Sequence, residues 1–367
     1  MTPKIQKFLI LLFQLTLIAS YLSVNLFNID PFFILTTRLF SALIMISIFI
    51  SNWKDGFRPK SIDVFTLCFL MIGSVFSFVS LNLLFIFGFV FTVRNVNFDY
   101  IINATVLSLG SSVLFIFGLL YFGIIENSIE KIGSASDSEL IRDRATAGFN
   151  NVNAFSGLVI AFLFVLLLRK KSKWMANIFA LIISIATFQY TDSRTVIYST
   201  LIFQFFLCSS YILSRKPQFQ YLFSVACILT PVFITVFAAY FNQFLPMLDV
   251  LLSYRLLYVA AFLTEIPWFS WVIGGASPPV DITVDNSFAL LLGALGVPVF
   301  IIFIHRTLNF MHSCIQLKEY RIYAFVVSFW FLIFSESHLV RPETLIALIF
   351  WLALSKIDVK YLPGYKK

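Results

Sequence analysis

Residues 144–153 read RATAGFNNVN, and an apolar run at 154–168 follows them without a break. The stretch closes a polar segment that begins near Glu126. Asn- and Gly-containing sequence at the mouth of a membrane helix is unsuited to lipid contact, because its polar groups would lose their hydrogen bonds there. The same groups can hold a hydrophilic ligand at the membrane surface. The stretch therefore predicts a membrane protein with a polar site where this helix begins.

Three later stretches have the same polar character beside apolar sequence. They are TDSRT at 191–195, SYR at 253–255 and VDNS at 284–287. We predict that these three and the first stretch meet on one side of the membrane and form one site.

The composition points to the same class of protein. Of the 367 residues, 60% are hydrophobic and only 12% are charged, whereas a soluble domain carries about 25% charged residues. A membrane-spanning helix needs roughly 20 apolar residues. The apolar runs lie near residues 6–26, 32–51, 62–78, 81–93, 100–124, 153–168, 174–190, 195–213, 220–241, 286–304, 322–335 and 343–355.

The chain is therefore predicted to be an all-α, polytopic integral membrane protein with about twelve transmembrane helices. Residues 1–367 form a single transmembrane domain in this prediction, with long extracytoplasmic loops at about 125–152 and 242–285. We interpret the first run as a spanning helix, because it is too long for a signal peptide and no small-residue cleavage site follows it. An apolar patch at 250–263, followed by Trp268 and Trp271, predicts a helix along the outer interface.

The distribution of positive charge orients the chain. Short loops rich in Lys and Arg stay in the cytoplasm. With twelve spans and both termini cytoplasmic, the inner segments hold 19 of the 26 basic residues, including 13 of the 14 lysines. The net charge of +8 is thus an orientation signal, which argues against nucleic acid as a partner.

The cations predicted on the outside are nearly all arginine. Guanidinium groups bind phosphate oxygens through two parallel hydrogen bonds and stay charged when partly desolvated. Arg144, Arg194 and Arg255 each lie close to a predicted helix end or apolar surface, so together they favour an anion site. The alternative is local pairing with Asp143 for Arg144 and with Asp192 for Arg194. Arg38 falls inside the second run, where a charge either faces a cavity or extends to the surface.

Two further segments offer polar groups for a ligand. Asp285 and Asn286 open the tenth run, where such residues are ordinary helix caps and also suit sugar hydroxyls. The last outer loop reads SESHLVRPET, and Glu336 or His338 there could act as a general base, with Arg341 beside them. A solvated loop is the alternative. The four cysteines and three histidines are too scattered for a metal motif, so we expect no cofactor.

Several of these stretches together resemble the Wzy-type polysaccharide polymerases of the O-antigen polymerase and ligase superfamily. The resemblance extends over most of the chain and rests on weak motifs in a fixed order. They are RATAGFNNVNAFSG before a span, TDSRT opening a span, YR in a long outer loop, and GGASPPVDITVDNSFALLLGALGVP. Where many relatives have GxxHPN, this chain has Asn151, Val152 and Asn153, so the His and Pro are missing.

The resemblance implies inverting glycosyl transfer on the outer face of a bacterial cytoplasmic membrane. Undecaprenyl-diphosphate-linked repeat units would be both donor and acceptor, and a chain-length regulator and a flippase would be protein partners. The candidate catalytic residues are Arg255, Arg194, Glu336 and His338. The candidate substrate-binding residues are Arg144, Asn153, Asp285, Asn286 and Arg341.

Other functions remain open from the sequence. The ligase branch of the same superfamily transfers a finished glycan to another acceptor. A flippase or transporter of lipid-linked oligosaccharides would place polar residues through the middle of the membrane. The ionisable residues here cluster at one predicted face instead, which favours the polymerase.

Overall fold

A computed structural model describes residues 3–27, 31–54, 70–71, 77–127, 129–132, 142–149, 152–169, 173–244, 246–251, 255–279 and 284–355. The chain divides into two compact units. The first comprises Met1–Ser51, Val96–Gln204 and Glu343–Ile346. The second comprises Asn52–Asn95, Phe205–Pro342 and Ala347–Lys367.

The first unit is built mainly from helices rich in apolar residues. Its elements are α1 (Pro3–Asn25), α2 (Pro31–Lys54), α4 (Phe98–Tyr121), β1 (Ile129–Ile132), β2 (Arg142–Ala145), α5 (Val152–Leu168), α6 (Lys173–Thr191) and the first half of α7 (Arg194–Leu213). Most of α2 belongs here, and its last turn belongs to the second unit. Helix α5 is buried along nearly its whole length. Its run of Phe, Leu, Val and Ile therefore forms the core of the unit.

Polar side chains inside the first unit are paired across helices. Gln14 of α1 donates to the hydroxyl of Thr105 in α4 at 2.8 Å. Tyr21 donates to the carbonyl of Ala154, in the first turn of α5, at 2.7 Å. Buried hydrogen bonds of this kind fix the rotation of one helix against another, since turning either helix would leave a polar group unpaired.

Within the stretch RATAGFNNVN, residues 144–149 form the end of a strand and a tight turn, and residues 152–153 begin α5. Strand β2 pairs with β1 in an antiparallel register that sets Glu130 opposite Arg144. Ala147 and Gly148 both have positive φ, and the Ala147 amide donates to the Asn127 side chain at 2.9 Å. Phe149 is buried and packs against Tyr21 and Phe155. This part of the stretch therefore closes the core of the first unit.

The second unit contains the rest of the helices. Its elements are α3 (Phe78–Val93), α8 (Pro217–Val236), α9 (Ala238–Phe244), α10 (Pro246–Leu251), α11 (Arg255–Glu265), α12 (Ser270–Ile273), α13 (Ser287–Gln316), α14 (Tyr320–Ser335) and most of α15 (Ile346–Ser355). Short 3-10 helices at His338–Val340 and Pro342–Thr344 connect α14 to α15. Aromatic rings of Phe288, Phe303, Trp330 and Phe350 pack together in the core of this unit.

Helix α13 is broken near its middle. Gly296 has φ 71° and ψ 167°, and Pro298 follows it. The break and the missing proline N–H leave the carbonyls of Gly293 and Ala294 without helical partners. Residues 274–276 supply them: Gly275 donates to Ala294 at 3.0 Å and Ala276 donates to Gly293 at 2.9 Å. The nine residues from Ser287 to Leu295 thus form a short half-helix, which we call the half-helix of α13.

The structure is consistent with the coarser part of the predicted fold class, a helical membrane protein with several spans. Seven helices are long and apolar enough to cross a membrane, and four shorter helices are apolar as well, counting only the described part of the chain. These eleven helices coincide with eleven of the predicted runs. The run at 62–78 lies largely outside the described residues, so twelve spans stay a prediction. The β1–β2 hairpin is a departure from the all-α expectation.

The structure also changes some predicted boundaries. Helix α13 continues to Gln316, well past the predicted end at 304, so His305, His312 and Cys314 are helical. The predicted patch at 250–263 contains the end of α10, which ends at Leu251, and most of α11, which begins at Arg255. Residues 252–254 between them lie outside the described residues. Trp268 is exposed and Trp271 partly exposed, as expected of the predicted interface, whose position stays a prediction.

The orientation of the chain can be tested by thiol labelling. In a cysteine-free background, single cysteines at Ser134 and Ser277 are expected to react in intact cells with a reagent that cannot cross the membrane. A cysteine at Ser172 is expected to react only after permeabilisation, because Arg169, Lys170, Lys171 and Lys173 around it mark an inner loop. Labelling of Ser172 in intact cells, with protection of the other two, would reverse the orientation.

Candidate functional site

The half-helix of α13 begins inside a cluster of polar side chains in the second unit. Asn286 is its N-cap: the side-chain oxygen accepts a hydrogen bond from the Ala289 amide at 2.9 Å. The Asn286 amide nitrogen donates to the Thr235 hydroxyl at 3.0 Å and to the Phe334 carbonyl at 2.8 Å. Asn286 is only 1% exposed. Its cap role is therefore confirmed, whereas its contact with a sugar stays a prediction.

The loop after α14 is attached to the same helix start. Ser287 donates its hydroxyl to the Glu336 carbonyl at 2.7 Å and accepts a hydrogen bond from the Leu339 amide at 3.3 Å. Trp351 donates to the Leu339 carbonyl at 3.3 Å. These bonds fix Glu336 and His338 beside the first residues of the half-helix.

Arg255 reaches the cluster from the start of α11. The Asp249 side chain accepts a hydrogen bond from the Leu256 amide at 2.8 Å, which satisfies one of the free N–H groups at this helix start. The Arg255 guanidinium lies 3.3 Å from the Glu336 carboxylate. The Arg255 side chain keeps 20% of its surface exposed, so the ion pair is enclosed on most sides and still accessible to a ligand.

The surroundings of the cluster shift the pKa values of Asp285 and His338 in opposite directions. Burial raises the pKa of Asp285, as does the neighbouring Glu336 charge, while Arg255, Arg341 and His338 oppose the rise. Burial first, and then the charges of Arg341 and Arg255 against the opposing effect of Asp285, together lower the pKa of His338 to about 3. The imidazole is therefore neutral at pH 7. Within the described residues, its Nδ1 is buried and has no hydrogen-bond partner.

Six of the nine predicted site residues are brought together in this way. They are Arg255, Asp285, Asn286, Glu336, His338 and Arg341. Arg341 is exposed, and the other five are buried or partly buried. The start of α11, the start of α13 and the loop after α14 therefore lie together in the second unit, while the roles of these residues stay predictions.

The other three predicted residues belong to the first unit. Arg194 is exposed and is the first residue of α7. Asn153 is partly buried in the first turn of α5. Arg144 lies in β2, and its side chain is outside the described residues. The expected single site of all four stretches therefore stays a prediction.

Two charged residues make contacts that the sequence did not predict. Arg38, four residues inside the apolar span Leu35–Asn52, forms an ion pair with Glu343 in the first unit. A charge within a membrane helix is costly unless it is paired, and Glu343 supplies that partner. The two expected placements of Arg38, facing a cavity or extending to the surface, stay predictions. The contact of Asp249 was not predicted because its side chain accepts a hydrogen bond from Leu256, seven residues later in the chain and in the first turn of α11. No local pattern signals either contact.

The cluster can bind an anion and accept a proton. The free N–H groups at the N-terminus of a helix carry a partial positive charge, and an arginine beside them adds a full one. Both attract an anion. Within the described residues, no group of three His, Cys, Asp or Glu side chains is placed to hold a metal ion.

Comparison with protein-family models, with curated proteins and with solved structures finds no match to this chain.

Proposed function

We propose that this protein is a membrane glycosyltransferase that polymerises undecaprenyl-diphosphate-linked oligosaccharide repeat units. The reaction takes place on the outer face of the bacterial cytoplasmic membrane and inverts the anomeric centre. The donor is a growing glycan on its carrier, and the acceptor is a hydroxyl of a second carrier-linked repeat unit. A chain-length regulator and a flippase are its partners in this proposal.

The observation that carries the proposal is the Arg255–Glu336 ion pair at the start of the half-helix of α13. Arg255 can exchange part of its contact with Glu336 for phosphate oxygens, because a guanidinium offers five N–H donors. Arg341 lies close enough to influence the same carboxyl and imidazole groups. Cations that the fold already holds in position stabilise the negative charge that develops on a departing diphosphate. Apolar helices on either side of this loop region suit prenyl chains.

Glu336 has a supporting role in this reaction. Its carboxylate holds Arg255 and its carbonyl accepts the Ser287 hydroxyl, so it orients the cation toward the half-helix. Arg194, Arg144 and Asn153 are proposed contacts for glycan or diphosphate, as the motifs of the polymerase superfamily imply.

A flippase is the second candidate, and the break in α13 favours it. Transporters commonly bind substrates at the ends of interrupted membrane helices, where half-helix N-termini face anionic groups. The break at Gly296 and the ion pair of Arg38 with Glu343 are features that such a protein would share.

Analysis of carrier-linked glycans separates these functions. A strain without the gene is expected to accumulate carrier bearing one complete repeat unit on the outer face, or to pass single units to the final acceptor. The measurement is mass spectrometry of carrier-linked glycans, combined with digestion by a glycosidase that cannot enter the cell. Complementation with the intact gene is the control.

The other functions give different results in the same experiment. A flippase defect leaves single units on the inner face, protected from the glycosidase. A ligase defect leaves long polymer on the carrier, which would refute the polymerase proposal. Glycan length and sidedness together therefore identify the function.

A further inference from the structure

The carboxylates near the start of the half-helix differ in what they do for the fold. Asp249 accepts the Leu256 amide at 2.8 Å and supports the start of α11. Glu336 is paired with Arg255 at 3.3 Å. Within the described residues, Asp285 has neither an ion pair within 4 Å nor a side-chain hydrogen bond. It is also partly exposed, unlike its buried neighbours Asn286 and Ser287.

The position of Asp285 is nevertheless fixed. The next two residues, Asn286 and Ser287, are hydrogen-bonded to Phe334, Thr235 and Glu336. A carboxylate held in a charged cluster without a structural partner, and open to a ligand, is available for chemistry.

We propose that Asp285 is the general base that accepts the proton of the acceptor hydroxyl. The inference depends on the proposed glycosyl transfer and assigns one of its steps. The hydroxyl oxygen of the acceptor sugar forms a bond to the anomeric carbon of the donor, and its proton moves to the Asp285 carboxylate. The bond between the anomeric carbon and the diphosphate oxygen breaks, and its electron pair leaves with the diphosphate. Arg255 stabilises that charge.

The charges around Asp285 support this role. Glu336 faces it as a second negative group, and Arg255, Arg341 and His338 face it as the opposing groups. Burial and Glu336 raise the pKa of Asp285 above its ordinary value, which makes it a stronger base. Glu336, by contrast, is engaged with Arg255 at 3.3 Å.

His338 is a poor alternative as the base. The residue is 7% exposed, and burial lowers the pKa of its imidazole to about 3, so a proton from a hydroxyl gains little by moving there. The sequence alone offered Glu336 or His338 as the general base, because carboxylates and imidazoles both transfer protons in enzymes. In the structure, His338 is buried in the 3-10 helix that follows α14.

The proposal is tested with the full-length protein in lipid vesicles. The substrate is the carrier-linked glycan extracted from the strain that lacks the gene. Asp285→Asn is expected to lower the rate by about a hundredfold to ten-thousandfold, which is the usual contribution of a general base. Asp285→Ala is expected to regain activity when formate is added, since a small carboxylate can occupy the vacated space. A residue with only a structural role is not rescued in this way.

Glu265→Gln is the matched control, because it makes the same change from carboxylate to amide on an exposed residue of the same unit. Glu265 is the last residue of α11, about 15 Å along that helix from Arg255. Its rate is expected to stay within twofold of the unchanged protein. All variants are compared at equal amounts of folded protein, measured by thermal unfolding.

The pH profile gives a second readout. The unchanged protein is expected to lose activity as pH falls through the raised pKa of Asp285, because only the ionised carboxylate accepts a proton. In Asp285→Ala with formate, this acid limb is expected to move to the pKa of formate. Rates within threefold for Asp285→Asn, or folded Asp285→Ala without formate rescue, would overturn the role of Asp285 and leave the polymerase proposal intact. No transfer by the unchanged protein would refute the proposed function itself.

Discussion

Arg255→Lys is expected to lower polymer formation about tenfold to a hundredfold while leaving the amount of protein in the membrane unchanged. Lysine keeps the positive charge but offers a single ammonium in place of the planar guanidinium fork. It cannot pair with Glu336 and bind diphosphate oxygens in two directions at once. The loss of one charge-assisted hydrogen bond, about 1.5–3 kcal/mol, corresponds to this range of rates.

Arg215→Lys provides the matched control. Arg215 is an exposed arginine in the turn after α7, on the predicted inner side, and the same change there is expected to leave polymer length and amount unaltered. The measurement is the length distribution of carrier-linked and surface glycan at equal expression. Normal polymer from Arg255→Lys would show that a point charge is sufficient and would remove the argument for bidentate diphosphate binding.

Gly274→Ala is expected to have the largest effect on stability, a loss of about 3–5 kcal/mol in the free energy of unfolding. Gly274 has φ 77° and ψ −158°, a backbone conformation that is essentially limited to glycine. An added Cβ would lie 2.3 Å from the Ala294 carbonyl oxygen. The chain would have to move away, and the hydrogen bonds from Gly275 and Ala276 to the break in α13 would be lost.

The control for this change is Gly118→Ala. Gly118 lies in α4, and a Cβ added there meets nothing within 4 Å. Alanine is favoured over glycine in a helix by about 1 kcal/mol, so this variant is expected to be as stable as the unchanged protein or slightly more stable. Thermal unfolding in detergent measures both variants. An unchanged midpoint for Gly274→Ala would mean that residues 274–276 do not support the broken helix.

The positions of the helices were largely predictable because apolar composition sets the length of a membrane span. The predicted run at 153–168 is α5 (Val152–Leu168), and the run at 195–213 is α7 (Arg194–Leu213). Helix α13 was predicted too short. Its second part carries His305, Arg306, Asn309 and His312, which end the apolar run, yet backbone hydrogen bonds continue the helix through them.

The site was predictable in its residues but not in its contacts. Polar side chains at the ends of apolar runs identified Asp285, Asn286 and Glu336. The pairing of Arg255 with Glu336 joins residues 81 positions apart, and that of Arg38 with Glu343 joins residues 305 apart. Such pairs depend on how helices pack, which apolar periodicity does not encode. The choice of Asp285 over His338 as the proposed base also required the structure, because His338 is buried and Asp285 is partly exposed.

The bonds between residues 275–276 and 293–294 also determine where this region tolerates changes in length. They close the chain between Ala276 and Gly293 into a loop whose two ends are held together. One residue inserted into the half-helix of α13 would turn Asn286 by about 100° around the helix axis and detach it from Thr235 and Phe334. Residues inserted at 277–283 would leave both ends in place. We therefore expect inserted or deleted residues to be tolerated only in that short segment, and a change in the spacing from Asp285 to Gly296 to disrupt the cluster.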